Sequence, residues 1–426
     1  MKAKKCIEKI KNGALSAYGH LYADVKEESA RYIEAIEAFS ARYGEERDIY
    51  LFSVPGRTEV AGNHTDHNCG CVLAAAIDRD IIAVASPSDT GVIRLESEGY
   101  DEDVVCVEGC ENPSAFADFS SAALIAGTAG GFLSRGYRVG GFDAYTTTRV
   151  LKGSGLSSSA AFEVMIGNIL NHLYNDGEID NQELAKVAQY AENAYFGKPC
   201  GLMDQMACAV GGFVYIDFSE PSLPVVQPIR FSLSEAGLSL CIVSTGGNHA
   251  DLNEDYASVP AEMKSVAAYF GKDALASVSE GELIANAPVL RRACGDRALL
   301  RALHFVRENA RVRVMAEALK EGDTDVFLSG VTASGDSSFK YLQNVYTTKN
   351  VSEQGLSLSL AVTEGALASK GCAFRVHGGG FAGTTQAFVK NEYVDEYAAL
   401  MDSVFGEGAC MKLSIRPEGA VRIEVN

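Results

Sequence analysis

Hydrophobic and polar residues follow two different periods along the chain, and each period predicts a different kind of element. Residues 1–47 are rich in charge and carry apolar residues such as Tyr32, Ile36 and Phe39 at helical intervals, so helices are predicted there. Short apolar runs bounded by turn residues predict strands, and the run 49–54 leads into a Pro-Gly turn signal. Further strands are predicted at 81–85, 92–95, 142–150, 213–218, 238–244, 373–377, 386–389, 413–416 and 421–425.

The remaining long segments carry helical patterns and set the fold class. Strands and helices mix without a regular βα alternation, which favours an α+β fold over a doubly wound sheet. Three prolines, Pro221, Pro224 and Pro228, punctuate a segment that is predicted to join two domains. Helices are predicted at 113–135, 156–174 and 181–196, and the segment 252–370 is mostly helical.

Composition excludes several classes of protein. The chain has 426 residues, of which 47% are hydrophobic and 22% charged, which is typical of a globular protein with more than one domain. Its net charge is 37 − 56 = −19, so nucleic acid and anionic membranes are improbable partners. No uncharged stretch reaches the ~18 apolar residues that a membrane span needs, and the basic N-terminus lacks the apolar region of a signal peptide. A cytoplasmic protein, expected to be a monomer, is therefore predicted.

A run of glycine and serine at 153–161, GSGLSSSAA, lies between a predicted strand and a predicted helix. Glycines let the backbone approach a ligand closely, and the opening turn of a helix has amide donors without intrahelical partners. The pattern therefore predicts an anion site suited to a nucleotide phosphate, although it is not a Walker motif. An ordinary helix cap with a flexible loop is the other interpretation.

Three motifs in order resemble those of the GHMP kinases. The run 153–161 is similar to the ATP-binding motif of that family. Residues 55–70, PGRTEVAGNHTDHNCG, resemble the galactokinase signature PGRxNxIGEHTDYxxG, and residues 376–383, VHGGGFAG, resemble the third motif, GGGFGG. The similarity extends from about residue 30 to the C-terminus.

This resemblance implies a fold and an activity. The fold has an N-terminal domain like domain 2 of ribosomal protein S5 and a ferredoxin-like C-terminal domain, with the active site between them. The expected division is an N-terminal extension at 1–30, an N-terminal kinase domain at 31–225 and a C-terminal domain at 226–426. The implied activity is an ATP- and Mg²⁺-dependent sugar 1-kinase that transfers the γ-phosphoryl of ATP to the anomeric hydroxyl of galactose.

Two residues are candidates for the chemistry of phosphoryl transfer. Asp204 is a carboxylate in an apolar setting after a glycine turn, and the resemblance implies that it is the catalytic base. Arg57, in the first signature, would keep Asp204 ionised and stabilise the forming sugar alkoxide. On the residues alone, Asp204 could equally cap a helix, and Arg57 is more simply explained as a surface salt bridge.

The resemblance also implies how nucleotide and metal are bound. Glu192, twelve residues before Asp204, matches the family glutamate that holds Mg²⁺, and Ser159 matches the serine hydroxyl on the same ion. On its own Glu192 would belong to a solvated helix face. The implied ATP-binding residues are Gly153, Ser154, Gly155, Leu156, Ser157, Ser158, Ser159, Gly379 and Gly380.

The sugar site is implied by the first signature and by one tyrosine. Asn63, His64, Asp66 and Tyr256 match residues that contact the sugar in the family. His64 and His67 could instead be read as a transition-metal pair, but a neutral imidazole beside a carboxylate suits a polyol better. The segment after Tyr256 departs from the family pattern.

The signature breaks at two positions, and this bears on the substrate. Asn63 stands where the family has glutamate, which would remove repulsion against a carboxylate on carbon 6, so galacturonate is an alternative substrate. Glu59 stands where the family has asparagine and could restore the negative charge. A non-catalytic sugar sensor on the same fold is an alternative of another class, and a kinase for a non-sugar such as mevalonate ranks lowest.

Overall fold

The structure of the protein is a computed structural model that describes residues 1–150, 155–197, 200–220, 223–247 and 252–425. These residues form twelve strands and thirteen α-helices in two sheets with covering helices. The strands are β1 (Tyr50–Ala61), β2 (Cys71–Ser88), β3 (Val92–Ser97), β4 (Asp103–Cys106), β5 (Gly141–Thr148), β6 (Phe213–Asp217), β7 (Val225–Ile229), β8 (Leu238–Ser244), β9 (Ala373–His377), β10 (Thr384–Lys390), β11 (Cys410–Leu413) and β12 (Val421–Ile423).

The helices divide into an N-terminal pair, a central group and a long helical segment before the last strands. One turn of π-helix, Glu192–Phe196, directly extends the fifth helix. The helices are α1 (Ala3–Lys11), α2 (Val25–Tyr43), α3 (Ser121–Ser134), α4 (Ser158–Tyr174), α5 (Asn181–Ala191), α6 (Met203–Val210), α7 (Asn253–Tyr269), α8 (Glu280–Ala285), α9 (Ala287–Ala293), α10 (Asp296–Glu321), α11 (Thr324–Ser337), α12 (Gly355–Leu367) and α13 (Val394–Phe405).

The first sheet has the order β12-β1-β2-β5-β3-β4, with β6 and β7 continuing from β2. Helices α3 to α6 pack on one face, where Phe52 and Val54 of β1 join their core. Helices α1 and α2 cover the other face, against Leu51 of β1 and Ile82 of β2. Because successive side chains of a strand point to opposite faces, β1 and β2 are buried on both sides. The N-terminal residues are therefore part of the folded core.

The second sheet has the order β11-β8-β10-β9, and every neighbouring pair is antiparallel. Helices α7 to α12 connect β8 to β9, and α13 connects β10 to β11, which is the βαββαβ arrangement of ferredoxin-like domains. The last strand, β12, returns to the first sheet and pairs with β1. The predicted α+β fold class is confirmed, while the predicted domain boundaries remain a prediction.

Some strands differ from their predicted bounds. The Pro55-Gly56 pair does not end β1; the strand continues to Ala61 with register shifts at Pro55/Arg57 and Glu59/Ala61. A Cβ on Gly56 would lie 2.7 Å from the Leu156 carbonyl oxygen, so this glycine permits close backbone approach rather than a turn. The apolar residues before 81–85 belong to the same long strand, β2. Part of the proline-punctuated segment forms β7, at the edge of the first sheet, where proline is tolerated.

Candidate active site

The glycine-serine run leads into α4 and brings its backbone against the C-terminal sheet. Gly155 has φ of 73°, and a Cβ there would lie 3.1 Å from Thr384 Oγ1 and 3.2 Å from His377 Nδ1. Ser157 has left-handed backbone angles immediately before the first turn of α4, where amide groups lack intrahelical acceptors. Of the implied ATP-binding residues, Gly153 and Ser154 lie outside the described residues.

Arg57 and Asp204 form a direct ion pair beside this loop. Arg57 Nε donates to Asp204 Oδ1 at 2.7 Å, and the other carboxylate oxygen accepts from Ser157 Oγ at 2.6 Å. The Asp204 side chain is 29% exposed, so a substrate can reach it, whereas that of Arg57 is 8% exposed. Burial by itself lowers the pKa of Arg57, but Asp204 outweighs it and the pKa is raised. The guanidinium therefore stays charged next to the carboxylate.

A second polar cluster lies around Glu192 and Gln205. Ser159 Oγ donates to Glu192 Oε1 at 3.3 Å. Gln205 Nε2 contacts Oε2 of Glu192 at 2.7 Å and Oε2 of Glu163 at 3.2 Å, and all three side chains belong to buried residues. Gln205 Oε1 is buried and has no hydrogen-bond partner among the residues that the structure describes. Two buried carboxylates, a hydroxyl and an orphaned amide oxygen are hard donors that fit Mg²⁺.

The sugar signature forms a tight loop between β1 and β2. His64 has φ of 59° and its Nε2 lies 2.9 Å from the Gly379 carbonyl oxygen. Burial lowers the pKa of His64 to about 4, so its imidazole is neutral at physiological pH. Asp66 packs against the segment that leads to Asp204, because a Cβ on Gly201 would lie only 2.1 Å from Asp66 Oδ2. The loop and Asp204 therefore belong to one site.

The third motif contacts the sugar signature from the C-terminal domain. Tyr256 Oη donates to the Gly380 carbonyl oxygen at 2.7 Å, and its ring packs edge-on to Phe381. Burial raises the pKa of Tyr256 to about 12, so the hydroxyl stays protonated. Asn63 is completely buried and its amide is engaged by protein groups. The structure thus brings described candidates from all three motifs close together, where the sugar-signature loop meets the glycine motif after β9.

Sequence reasoning missed a set of supporting residues on α10. His304 Nε2 lies 3.0 Å from the Asn63 carbonyl oxygen, and Glu308 Oε1 accepts from the Gly62 amide at 3.0 Å. Asn309 Oδ1 accepts from the amide of Cys71 at 2.7 Å. These side chains hold the backbone of the sugar-signature loop on both sides. The spacing of four residues between His304 and Glu308, which places them on one helix face, was a detectable signal.

Glu163 was also missed. It lies four residues after Ser159 on α4, and residues at that spacing face the same side of a helix. Among the described residues, no group of three or more His, Cys, Asp or Glu side chains is arranged to hold a metal ion.

Comparisons with known proteins identify the family. Residues 123–212 match the model of the GHMP kinases N terminal domain, and residues 37–87 match the galactokinase galactose-binding signature. The galactokinase of Streptomyces coelicolor is 32% identical over 374 residues, which cover 87% of this chain and 92% of that protein. The chain belongs to the galactokinase family. It is a sugar kinase, as the motifs predict, and the galactokinase of Bacillus subtilis is 28% identical over 84% of this chain and 90% of its own length.

Solved structures of this family and its neighbours share the fold. Lactococcus lactis galactokinase, solved in complex with galactose, has a TM-score of 0.76 at 22% identity, covering 90% of this chain and 98% of that one. The mevalonate kinase of Methanococcus jannaschii has a TM-score of 0.60 at 16% identity, covering 86% and 98%. Neither the galacturonate kinase nor the non-catalytic sensor is favoured by these comparisons. No helix among the described residues combines the length and apolar character that a membrane crossing requires.

Proposed function

We propose that the chain is a galactose 1-kinase that uses ATP and Mg²⁺, with Asp204 as the catalytic base. The observation that carries this proposal is the Arg57–Asp204 pair beside the loop at 155–159. Asp204 accepts the proton of the anomeric hydroxyl, whose oxygen then takes the γ-phosphoryl of ATP. Arg57 stabilises the negative charge that develops on the sugar oxygen. Galactose-dependent release of ADP, and its loss in Asp204→Asn, tests this role.

The nucleotide phosphates are proposed to lie at the N-terminus of α4. Free amides of the first helical turn attract anions. Gly155 lets the loop before this turn pack against Thr384 and His377, where a Cβ would be crowded. Mg²⁺ would be held by Ser159 and Glu192, with Glu163 and Gln205 close by. When bound, the ion neutralises phosphate charge during transfer. The matches with galactokinases support this arrangement only because the chain belongs to the same family.

Substituting Glu192 by glutamine is expected to raise the half-saturating concentration of Mg²⁺ about tenfold or more, because a neutral amide is a weaker ligand for this hard cation than a carboxylate. The measurement is ADP release as a function of free Mg²⁺, together with Mn²⁺ binding followed by electron paramagnetic resonance. Glu183→Gln is the matched control, because Glu183 lies on α5, which leads directly into the turn that carries Glu192, and pairs with Arg135 instead. Unchanged Mg²⁺ dependence and Mn²⁺ affinity in Glu192→Gln would remove the assignment.

His64 and Asp66 are proposed to bind the sugar hydroxyls, and His64→Ala is expected to raise KM for galactose about tenfold, the effect of losing one or two hydrogen bonds. KM for ATP should change less than about twofold. Because the pKa of His64 is about 4, its imidazole remains neutral above that pH. Sugar binding should therefore show no His64 titration between about pH 5.5 and 8.

The neighbouring His67 supplies a control for this experiment. Its side chain is 39% exposed and lies only three residues further along the loop. His67→Ala should leave KM for galactose near the native value. Equal effects of the two substitutions would mean that the loop, and not the His64 imidazole, determines sugar affinity.

A further inference from the structure

The two residues at which this chain departs from the galactokinase signature touch each other. Asn63, two residues beyond the end of β1, donates through Nδ2 to Glu59 Oε1 of that strand at 2.8 Å. Both residues are buried, with Asn63 at 0% and Glu59 at 5% exposure. Compared with the galactokinase signature, asparagine and glutamate have therefore changed places between two residues that contact each other.

The amide of Asn63 uses all of its hydrogen-bonding capacity on protein groups. Its nitrogen also donates to the Gly378 carbonyl oxygen at 2.7 Å, so both amide hydrogens face acceptors. Its oxygen accepts from Asn344 Nδ2 at 2.6 Å and from Ser338 Oγ at 3.4 Å. The amide orientation follows from these partners, because a carboxylate and a carbonyl can only accept. The amide of Asn63 is thus fully engaged by protein groups.

Glu59 is the ionisable residue of this pair, and it is held from the C-terminal domain; burial raises its pKa, against the lowering effect of Arg375. Arg375, which is itself fully buried, donates through Nη2 to Glu59 Oε1 at 3.2 Å and through Nη1 to the Val60 carbonyl oxygen at 2.8 Å. A second carboxylate at position 63 would face Glu59 Oε1 and the Gly378 carbonyl oxygen without a hydrogen to donate. An amide at position 59 would leave the guanidinium of Arg375 without its carboxylate. A carboxylate at position 59 and an amide at position 63 therefore complement each other.

We infer that Glu59 and Asn63 act as one carboxylate–amide pair that positions the sugar-signature loop against the glycine motif of the C-terminal domain. The pair joins β1 to Gly378, and Asn344 continues the chain of contacts to the Gly379 carbonyl oxygen at 3.0 Å. That same oxygen is the partner of His64 Nε2. Both are positioning residues, and their effect on sugar binding rests on the proposed contact of His64 with galactose.

The test is a double-mutant cycle of Glu59→Asn, Asn63→Glu and the double exchange, compared with the native enzyme. Each single substitution is expected to lower kcat/KM for galactose about tenfold or more, mainly through KM. The double exchange should recover part of this loss, because it restores a carboxylate–amide contact between positions 59 and 63 but leaves Arg375 and the Gly378 carbonyl oxygen with unsuited partners. KM for ATP should stay within about twofold throughout. Thermal stability measured for all four proteins identifies any variant that fails to fold.

A double exchange no better than the product of the two single losses would overturn the inference. Lower thermal stability with an unchanged KM for galactose would also overturn it, because the pair would then support only the fold. Glu59→Gln is a milder variant that replaces the carboxyl group by an amide of nearly the same size. Like Glu59→Asn, it should raise KM for galactose. Asn391→Glu, at an exposed position, controls for the added charge.

The proposed sugar site can fail separately from this inference. If His64→Ala leaves KM for galactose unchanged, the sugar assignment is wrong. If His64→Ala raises KM but the Glu59 and Asn63 substitutions do not compensate each other, the site assignment stands and the pair is wrong.

Discussion

Asp204→Asn is expected to lower kcat about a thousandfold while the affinity for ADP changes less than about threefold. Asparagine has nearly the same size, so the contacts with Arg57 and Ser157 can be kept in part, but an amide does not accept the hydroxyl proton at neutral pH. Positioned general bases contribute about 10²–10⁴-fold to rate, which sets the expected loss. Steady-state ADP release gives kcat, and calorimetric titration gives the affinity for ADP.

Asp296→Asn is a matched control for this substitution. Like Asp204, Asp296 lies in the first turn of a helix and accepts from an arginine Nε, at 2.6 Å from Arg291. It lies at the surface in another part of the fold, so kcat should remain native. Substantial turnover in Asp204→Asn and Asp204→Ala, with native ADP affinity, would mean that another group takes the proton.

Asp80→Ala is expected to lower the free energy of unfolding by about 3–5 kcal/mol, the cost of removing one partner from a buried ion pair. Arg31 Nη1 lies 2.6 Å from Asp80 Oδ1, and Arg416 Nη1 lies 3.2 Å from Oδ2. All three side chains are at most 8% exposed, so both guanidinium groups would lose a neutralising carboxylate inside the protein. Chemical denaturation, where reversible, measures the difference.

Asp296→Ala is the control that separates the effect of burial from the effect of ion pairing on the free energy of unfolding. The Arg291–Asp296 pair has the same 2.6 Å distance, but its side chains are 63% and 67% exposed. Exposed ion pairs contribute about 0–1 kcal/mol, so Asp296→Ala should have a small effect. Similar losses for Asp80→Ala and Asp296→Ala would contradict the role given to the buried network.

The Asp80 network also predicts how stability depends on pH. Burial by itself would raise the pKa of Asp80, but Arg31 and Arg416, with the hydroxyl of Ser53, hold it below its usual value. Because the folded-state pKa is depressed, this stabilisation is present above about pH 4, the unfolded value, and is lost as pH falls through the folded-state pKa. In Asp80→Asn, the fall in unfolding free energy below about pH 4 should be shallower than in the native protein.

Local sequence was sufficient for the fold class. Strands β8 and β9 were predicted at their observed bounds because each is a short apolar run between turn residues. The three glycine-rich motifs marked the places where backbone approaches a ligand or another segment, since only glycine permits that approach. Arg57 and Ser159 were identified within the motifs, and Asp204 and Glu192 through the family resemblance. The structure pairs Arg57 with Asp204 and Ser159 with Glu192.

Contacts between distant segments could be decided only by the tertiary structure. The Pro55-Gly56 pair is the same turn signal whether or not Leu156 packs over Gly56. The continuation of β1 beyond this pair therefore could not be predicted from the sequence. The resemblance implies a sugar contact for Asn63, but the groups that its amide meets depend on Asn344 and Gly378, about 280 and 315 residues away in the chain. The partner of a buried polar group is chosen by packing across the core, and single-sequence periodicity carries no information about it.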